Sequence, residues 1–182
     1  MFPAFVENPK NYRFQGQDDD EDILLLVRAH PITNLAWIIP AVIIFFIPFL
    51  LPPIIIALGF GALLNLPSTY LSAFIIINYL LVLIISFEGF LNWYFNVNLV
   101  TTKEVLDIDF NSILFKNVDF APLEDVQEAN STIAGLLGTL FNFGTVLVET
   151  AGERVEIDFT NVPRPDKIAD LIIDQSQIAK RQ

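Results

Sequence analysis

The chain has 182 residues, of which 53% are hydrophobic and only 17% charged, with a formal net charge of −11 and no cysteine. The acidic balance argues against a nucleic-acid partner, whose phosphates demand cations. The lack of cysteine excludes disulfides, thiolate zinc sites, Fe–S clusters and a cysteine nucleophile.

Residues 1 to 17 mix Pro, Asn, Gln and aromatics without periodicity and predict loose, peripheral structure. Five acids follow, Asp18, Asp19, Asp20, Glu21 and Asp22. They precede the apolar run Ile23 to Val27, which Arg28 and His30 close before Pro31. Acids at the start and bases at the end complement a helix dipole, and proline stops a helix. The pattern therefore predicts a short interfacial helix over about 19–29. The acids read as a solvated helix start, or alternatively as a site for a cation or a basic partner. His30 is the sole histidine, so a histidine metal cluster or a Ser-His-Asp triad is not expected.

From Ala29 to Phe87 there is no Asp, Glu, Lys or Arg. A membrane's hydrocarbon core takes about 20 helical residues per crossing. These 59 residues are therefore read as two transmembrane spans, about 35–58 and 70–91, with a turn between them. The first span holds 16 Leu, Ile, Val or Phe residues, which together favour insertion by roughly 6 kcal/mol. Pro40, Pro48, Pro52 and Pro53 predict kinks there, and the Pro52-Pro53 pair an early end to the regular helix. Trp37, Trp93 and Tyr94 fall where interfacial aromatic anchors belong, and Asn78 is the candidate polar contact between the spans. Arg28 before the spans, Lys103 after them and an uncharged turn place both termini on the cytoplasmic side.

Beyond Trp93 the period changes to two. Val97 and Leu99 alternate with Asn96 and Asn98; Leu106, Ile108 and Phe110 alternate with Asp107 and Asp109; Ile157 and Phe159 flank Asp158. This is the pattern of half-buried antiparallel strands. About six strands are expected, with tight turns at Thr102-Lys103 and at Ala151-Gly152-Glu153. A final helix over about 165–180 carries the stripe Ile168, Leu171, Ile172 and Ile178. The organisation is thus an N-terminal segment 1–34, a hairpin 35–92 and a domain 93–182. The fold class is an α+β membrane protein: a two-helix transmembrane hairpin, then an antiparallel bent barrel or sandwich capped by a helix.

Within that domain, Gly135-Leu-Leu-Gly-Thr-Leu-Phe-Asn-Phe-Gly144 lacks the spacing of a phosphate-binding loop. It reads as a turn of helix before a strand, with its apolar side chains filling one end of the barrel. The alternative makes Leu137, Leu140, Phe141 and Phe143 an exposed tip that touches the membrane or a partner. No Ser or Asp has a base arranged beside it, so neither catalysis, metal nor cofactor is expected.

Tyr94-Phe-Asn-Val-Asn-Leu-Val-Thr-Thr-Lys-Glu-Val-Leu-Asp-Ile-Asp-Phe110 after a twice-spanning hairpin resembles the bacterial pleckstrin-homology (PH) membrane proteins. Pro122 to Val126, Gly135 to Gly152 and Val162 to Leu171 are similar, as is the lead-in from Gly16 to Pro31. The resemblance covers about 16–175. It implies a PH-like bent barrel capped by its C-terminal helix, no known catalysis and a role at the membrane. Where phosphoinositide-binding PH domains carry several cations on the first hairpin, this chain has Lys103 beside Glu104, Asp107 and Asp109. Phosphoinositide binding is therefore not expected. The function that follows is a membrane-anchored scaffold for a protein partner, a basic one to suit the acidic surface, or for self-assembly into a homo-oligomer. The alternative is a small channel or transporter component with the domain as regulatory cap.

Overall fold

The structure is a computed structural model that describes residues 3–10, 12–14, 16–112, 115–151 and 157–181. The chain divides into two compact units. One is Asn34–Leu91, and the other joins Met1–Thr33 to Asn92–Gln182.

The larger unit is built on two antiparallel sheets. The first has five strands in sequence order: β1 (Phe5–Glu7), β2 (Ile23–Val27), β3 (Val97–Thr101), β4 (Glu104–Ser112) and β5 (Phe115–Pro122). The second has three: β6 (Val126–Thr132), β7 (Phe143–Thr150) and β8 (Ile157–Pro163). No ladder joins the two sheets among the described residues, so the expected barrel is an open pair of sheets. Six strands follow Asn92 among the described residues, as the alternation predicts. The turn expected at Ala151-Gly152-Glu153 lies outside the described residues beyond Ala151.

The helix expected over about 19–29 is not formed. Ile23–Val27 is β2, which pairs Leu26 with Leu99 and Val27 with Asn98. The five-residue run has no helical stripe. Its β-compatible side chains are apolar throughout because both faces of the strand are covered. Leu25 and Val27 enter a core between the sheets with Val100, Val105, Val146, Val148 and Phe159. Leu26 joins Ile23, Leu99 and Leu106 on the opposite face, where Phe14 packs over them. Residues before Asn34 are thus part of the domain, and β1, in the stretch expected to be loose, is its edge.

Thr101 closes the β3–β4 turn. Its buried hydroxyl donates to the Glu104 carbonyl and accepts the Lys103 and Glu104 N–H groups. The last helix, α4 (Pro165–Ala179), covers the core with Ile168, Ala169 and Ile172. Pro165 starts it, where a missing N–H costs nothing. Leu171 packs at the margin of that core, but Ile178 points out and Ser176 turns inward in its place.

The other unit is the helix pair. α1 (Leu35–Ala57) continues through all four prolines, so Pro52-Pro53 does not end it. It stops at Gly59, whose φ of +83° only glycine adopts freely. There Gly59 N–H donates to Ile56 O and Phe60 N–H to Ile55 O, the paired bonds that close a helix C-terminus. α2 (Ser68–Phe95) runs four residues past the expected end and carries Trp93 and Tyr94 on its last turn. Both helices are long and apolar enough to cross a membrane. Ala41 is the one buried residue described in α1, and Asn78 the one in α2, so neither is the core helix of a soluble domain.

Candidate functional site

The domain's polar chemistry separates toward the two ends of its strands. At the β3–β4 turn, Lys103 Nζ lies 2.9 Å from Asp18 Oδ2 and 2.6 Å from Asp20 Oδ1. The hydrogen bond from Lys103 holds the Asp20 carboxyl below its ordinary value, and the two carboxylates raise Lys103. Thr102 N–H donates to Asp22 O and Asp22 N–H to the Thr102 hydroxyl, fixing the acidic loop to the turn. The acids read as a cation or basic-partner site therefore already hold an internal cation. Glu104 titrates high because it is partly buried and faces the carboxylates of Glu21 and Asp18.

At the other end lies α3 (Gly135–Phe141). Its chain enters from β6 at Thr132 and leaves into β7, and an αL residue, Asn142, ends it. Leu136 is 84% exposed, Leu140 71%, Leu137 50% and Phe141 44%. Only Gly138 of this helix is buried, so these leucines do not fill the space between the sheets. Phe143 is half-buried, and the His30 imidazole stacks on it at 5.2 Å between ring centroids. His30 also lies 6.3 Å from the Phe141 ring, and its backbone N–H donates to Asn161 O at 2.7 Å. Burial lowers the imidazole's pKa.

The neighbours of His30 are held as firmly. Arg28 is buried; its Nε donates to Tyr94 O at 3.0 Å and its guanidinium sits over the Tyr94 ring. The Trp93 indole N–H donates to Ala29 O at 2.8 Å. In the helix pair, the Trp37 indole N–H donates to Asn34 Oδ1. The tryptophans read as interfacial anchors thus have their polar atoms bound within the chain. Asn78 is buried as an interhelical contact requires, but its Oδ1 takes no hydrogen bond.

Between the two ends, Asp107 has the most displaced acid. Burial, then repulsion from Asp109, Asp119 and Asp158, pushes it up to about 7. It stands opposite Asn98 in β3 and Asp119 in β5. Asn98 is buried and its Oδ1 has no hydrogen-bond partner. Outside the sheet, a shallow cavity of about 290 Å³ opens between Phe14, Arg28, Phe95 and Ile108. Strand β5 is a sheet edge that exposes Val118 and Phe120. No three His, Asp or Glu side chains among the described residues could hold a metal ion.

The sequence reading set Leu137, Leu140, Phe141 and Phe143 in the exposed tip and counted Leu136, the most exposed of the group, only among the side chains filling the barrel end. Helical spacing was the available signal, since 136, 137, 140 and 141 share one face. It also missed the Lys103 link to Asp18 and Asp20, because contacts 83 and 85 residues apart leave no local pattern.

These elements define a class of protein: an α+β chain in which two exposed apolar helices are inserted into a domain of antiparallel sheets covered by a C-terminal helix. The chain belongs to the bacterial PH domain family, whose sequence pattern matches residues 23–176. No curated protein and no solved structure matches it.

Proposed function

We propose that this protein is a non-catalytic scaffold, a PH-like domain anchored at the inner face of a bacterial cytoplasmic membrane by α1 and α2. The observation that carries the reading is where the helices enter the chain. They are inserted between β2 and β3, neighbouring strands of one sheet. Both ends of the anchor therefore start from the folded domain rather than from a loose tail. Confinement to the membrane plane raises the domain's effective concentration for partners there. The free edge of β5, with Val118 and Phe120 exposed, offers backbone pairing to a partner strand.

Arg28 before α1 and the uncharged connector after it support cytoplasmic termini. Lys103 adds little to that argument, because it is paired with acids at the far end of β3. That pairing also leaves it engaged rather than available to an inositol phosphate. The burial of Asn78 within the helix pair disfavours a solute pathway through it.

Crosslinking in native membranes followed by mass spectrometry tests the scaffold. One dominant protein partner supports it; recovery of self-contacts alone would favour a pore or lattice. Topology is tested separately with the cysteine-free chain. Asn65→Cys should react with an impermeant thiol reagent added outside, and Glu124→Cys should not. The reverse pattern would invert the orientation.

A further inference from the structure

We infer that α3 is a third membrane contact: a short apolar helix that lies in the headgroup–acyl boundary. The inference rests on the anchored reading above, and three observations within the domain carry it.

The first is an unpartnered apolar ridge. Leu136, Leu137, Leu140 and Phe141 are all exposed on a seven-residue helix, with Ile133 just before it. Isolated exposed leucines need no explanation, but a contiguous ridge of large apolar side chains does.

The second is its position on the domain. His30 stacks on Phe143 and lies beside Phe141. The next residue, Pro31, begins the first segment long and apolar enough to span. Trp93, on the last turn of the second, bonds Ala29. The points at which the domain's chain departs and returns are thus both beside α3. The acidic loop bound to Lys103 lies at the opposite end of the strands: β6 runs from Val126, next to that end, to Thr132 at α3. Seven strand residues span roughly 20 Å. A bilayer reached by residues 31 and 92 is therefore level with the leucines and well short of the acids.

The third is charge. The chain has a net charge of −11, yet residues 129 to 148 contain no Asp, Glu, Lys, Arg or His. The formal charges around this segment are of both signs and stay off α3 itself: the Ser131 hydroxyl on β6 donates to the Asp166 carboxylate, and the Arg164 guanidinium sits over the Phe5 ring. A ridge of exposed apolar side chains without a formal charge enters the headgroup–acyl boundary by apolar burial, with no charged group of its own to desolvate. A soluble acidic or basic partner would find no matching charge on the ridge itself.

The test uses the full chain reconstituted in phosphatidylcholine–phosphatidylglycerol vesicles with no other protein. Because the chain lacks cysteine, an environment-sensitive fluorophore can be placed singly by Leu140→Cys, Ile76→Cys in α2, or Glu124→Cys at the acidic end. The expected result at 140 is a blue-shifted spectrum, strong quenching by lipids spin-labelled high on the acyl chain and weak quenching by aqueous iodide. The label at 124 should show the reverse, and the label at 76 should be quenched by lipids labelled deep in the chain. If 76 is lipid-quenched while 140 behaves like 124, the anchor stands and the α3 contact is overturned. If 76 is not lipid-quenched, the anchor itself fails. A shift at 140 that disappears as lipid is added at constant protein would identify a second copy as the occupant and overturn the lipid contact.

Discussion

Asp107 makes the stability of this domain fall as pH rises. Its ordinary value is 3.8 and the fold raises it to about 7, chiefly by burial. An acid with a raised folded pKa binds its proton more tightly in the folded than in the unfolded chain. Between those two values, each increase in pH therefore removes stability, and the loss is complete above the folded pKa. Asp109 and Glu104, also raised by burial, act in the same direction. A protonated Asp107 moreover provides an O–H donor on the strand opposite Asn98, whose buried Oδ1 lacks a partner. Asp107→Asn should raise the Tm at about pH 8 and flatten the rise in Tm expected on acidification to about pH 5. An unchanged slope in thermal melts of the variant would remove Asp107 as its source. The sequence shows Asp107 as an ordinary outward residue of an alternating strand. It is the register of β4 between β3 and β5 that sets it against Asn98 and Asp119.

Strands with one wet face announced themselves, and the strand with none did not. Leu106 to Phe110 alternate with acids, so β4 is readable from period alone. Ile23–Val27 carries no polar residue, and flanking acids and bases gave it the look of a capped helix. Its strand character comes from pairing with β3 across 69 intervening residues (28 to 96 lie between the two strands), which no local rule contains. The helix pair shows the converse. Composition fixes two apolar helices, but it does not show that they approach closely at Gly89 and Trp37. A Cβ on Gly89 would lie 2.4 Å from Trp37 Cγ, with two further ring carbons within 2.7 Å. Gly89→Ala must displace an indole tethered to Asn34. Overpacking of this kind costs about 1–3 kcal/mol, against about 1 kcal/mol gained by replacing a helical glycine. A net loss is expected in detergent unfolding followed by tryptophan emission. Gly61→Ala is the control, because its nearest neighbour is 4.0 Å away. Equal stability of the two variants would mean that Gly89 does not set the approach.

A domain interrupted by its own anchor has consequences for how the molecule comes apart. The sequence divides it at residue 93, where hydropathy changes, and so assigns the first 34 residues to a peripheral segment. In the structure, β1 and β2 form one side of the five-stranded sheet. Leu25 and Val27 are fully buried in the shared core. A fragment of residues 93–182 should therefore expose that core and behave as a loose, dye-binding species. Removing one core leucine typically costs 2–5 kcal/mol, a large share of the roughly 5–15 kcal/mol that holds a domain together. Losing a whole strand exceeds that. Excising residues 34–91 and joining 33 to 92 through a short Gly-Ser linker should do the opposite. The bond from Trp93 to Ala29 brings those flanks together within the domain, so a short closure costs little chain entropy. The excised protein should unfold in one cooperative transition, while the 93–182 fragment should show none. If instead the fragment melts cooperatively and the excised chain does not, the first two strands are accessories and hydropathy alone marks the true boundary. On the expected result, the anchor is a loop of the domain, and the residues leading into it cannot be lost without losing the surface it holds at the membrane.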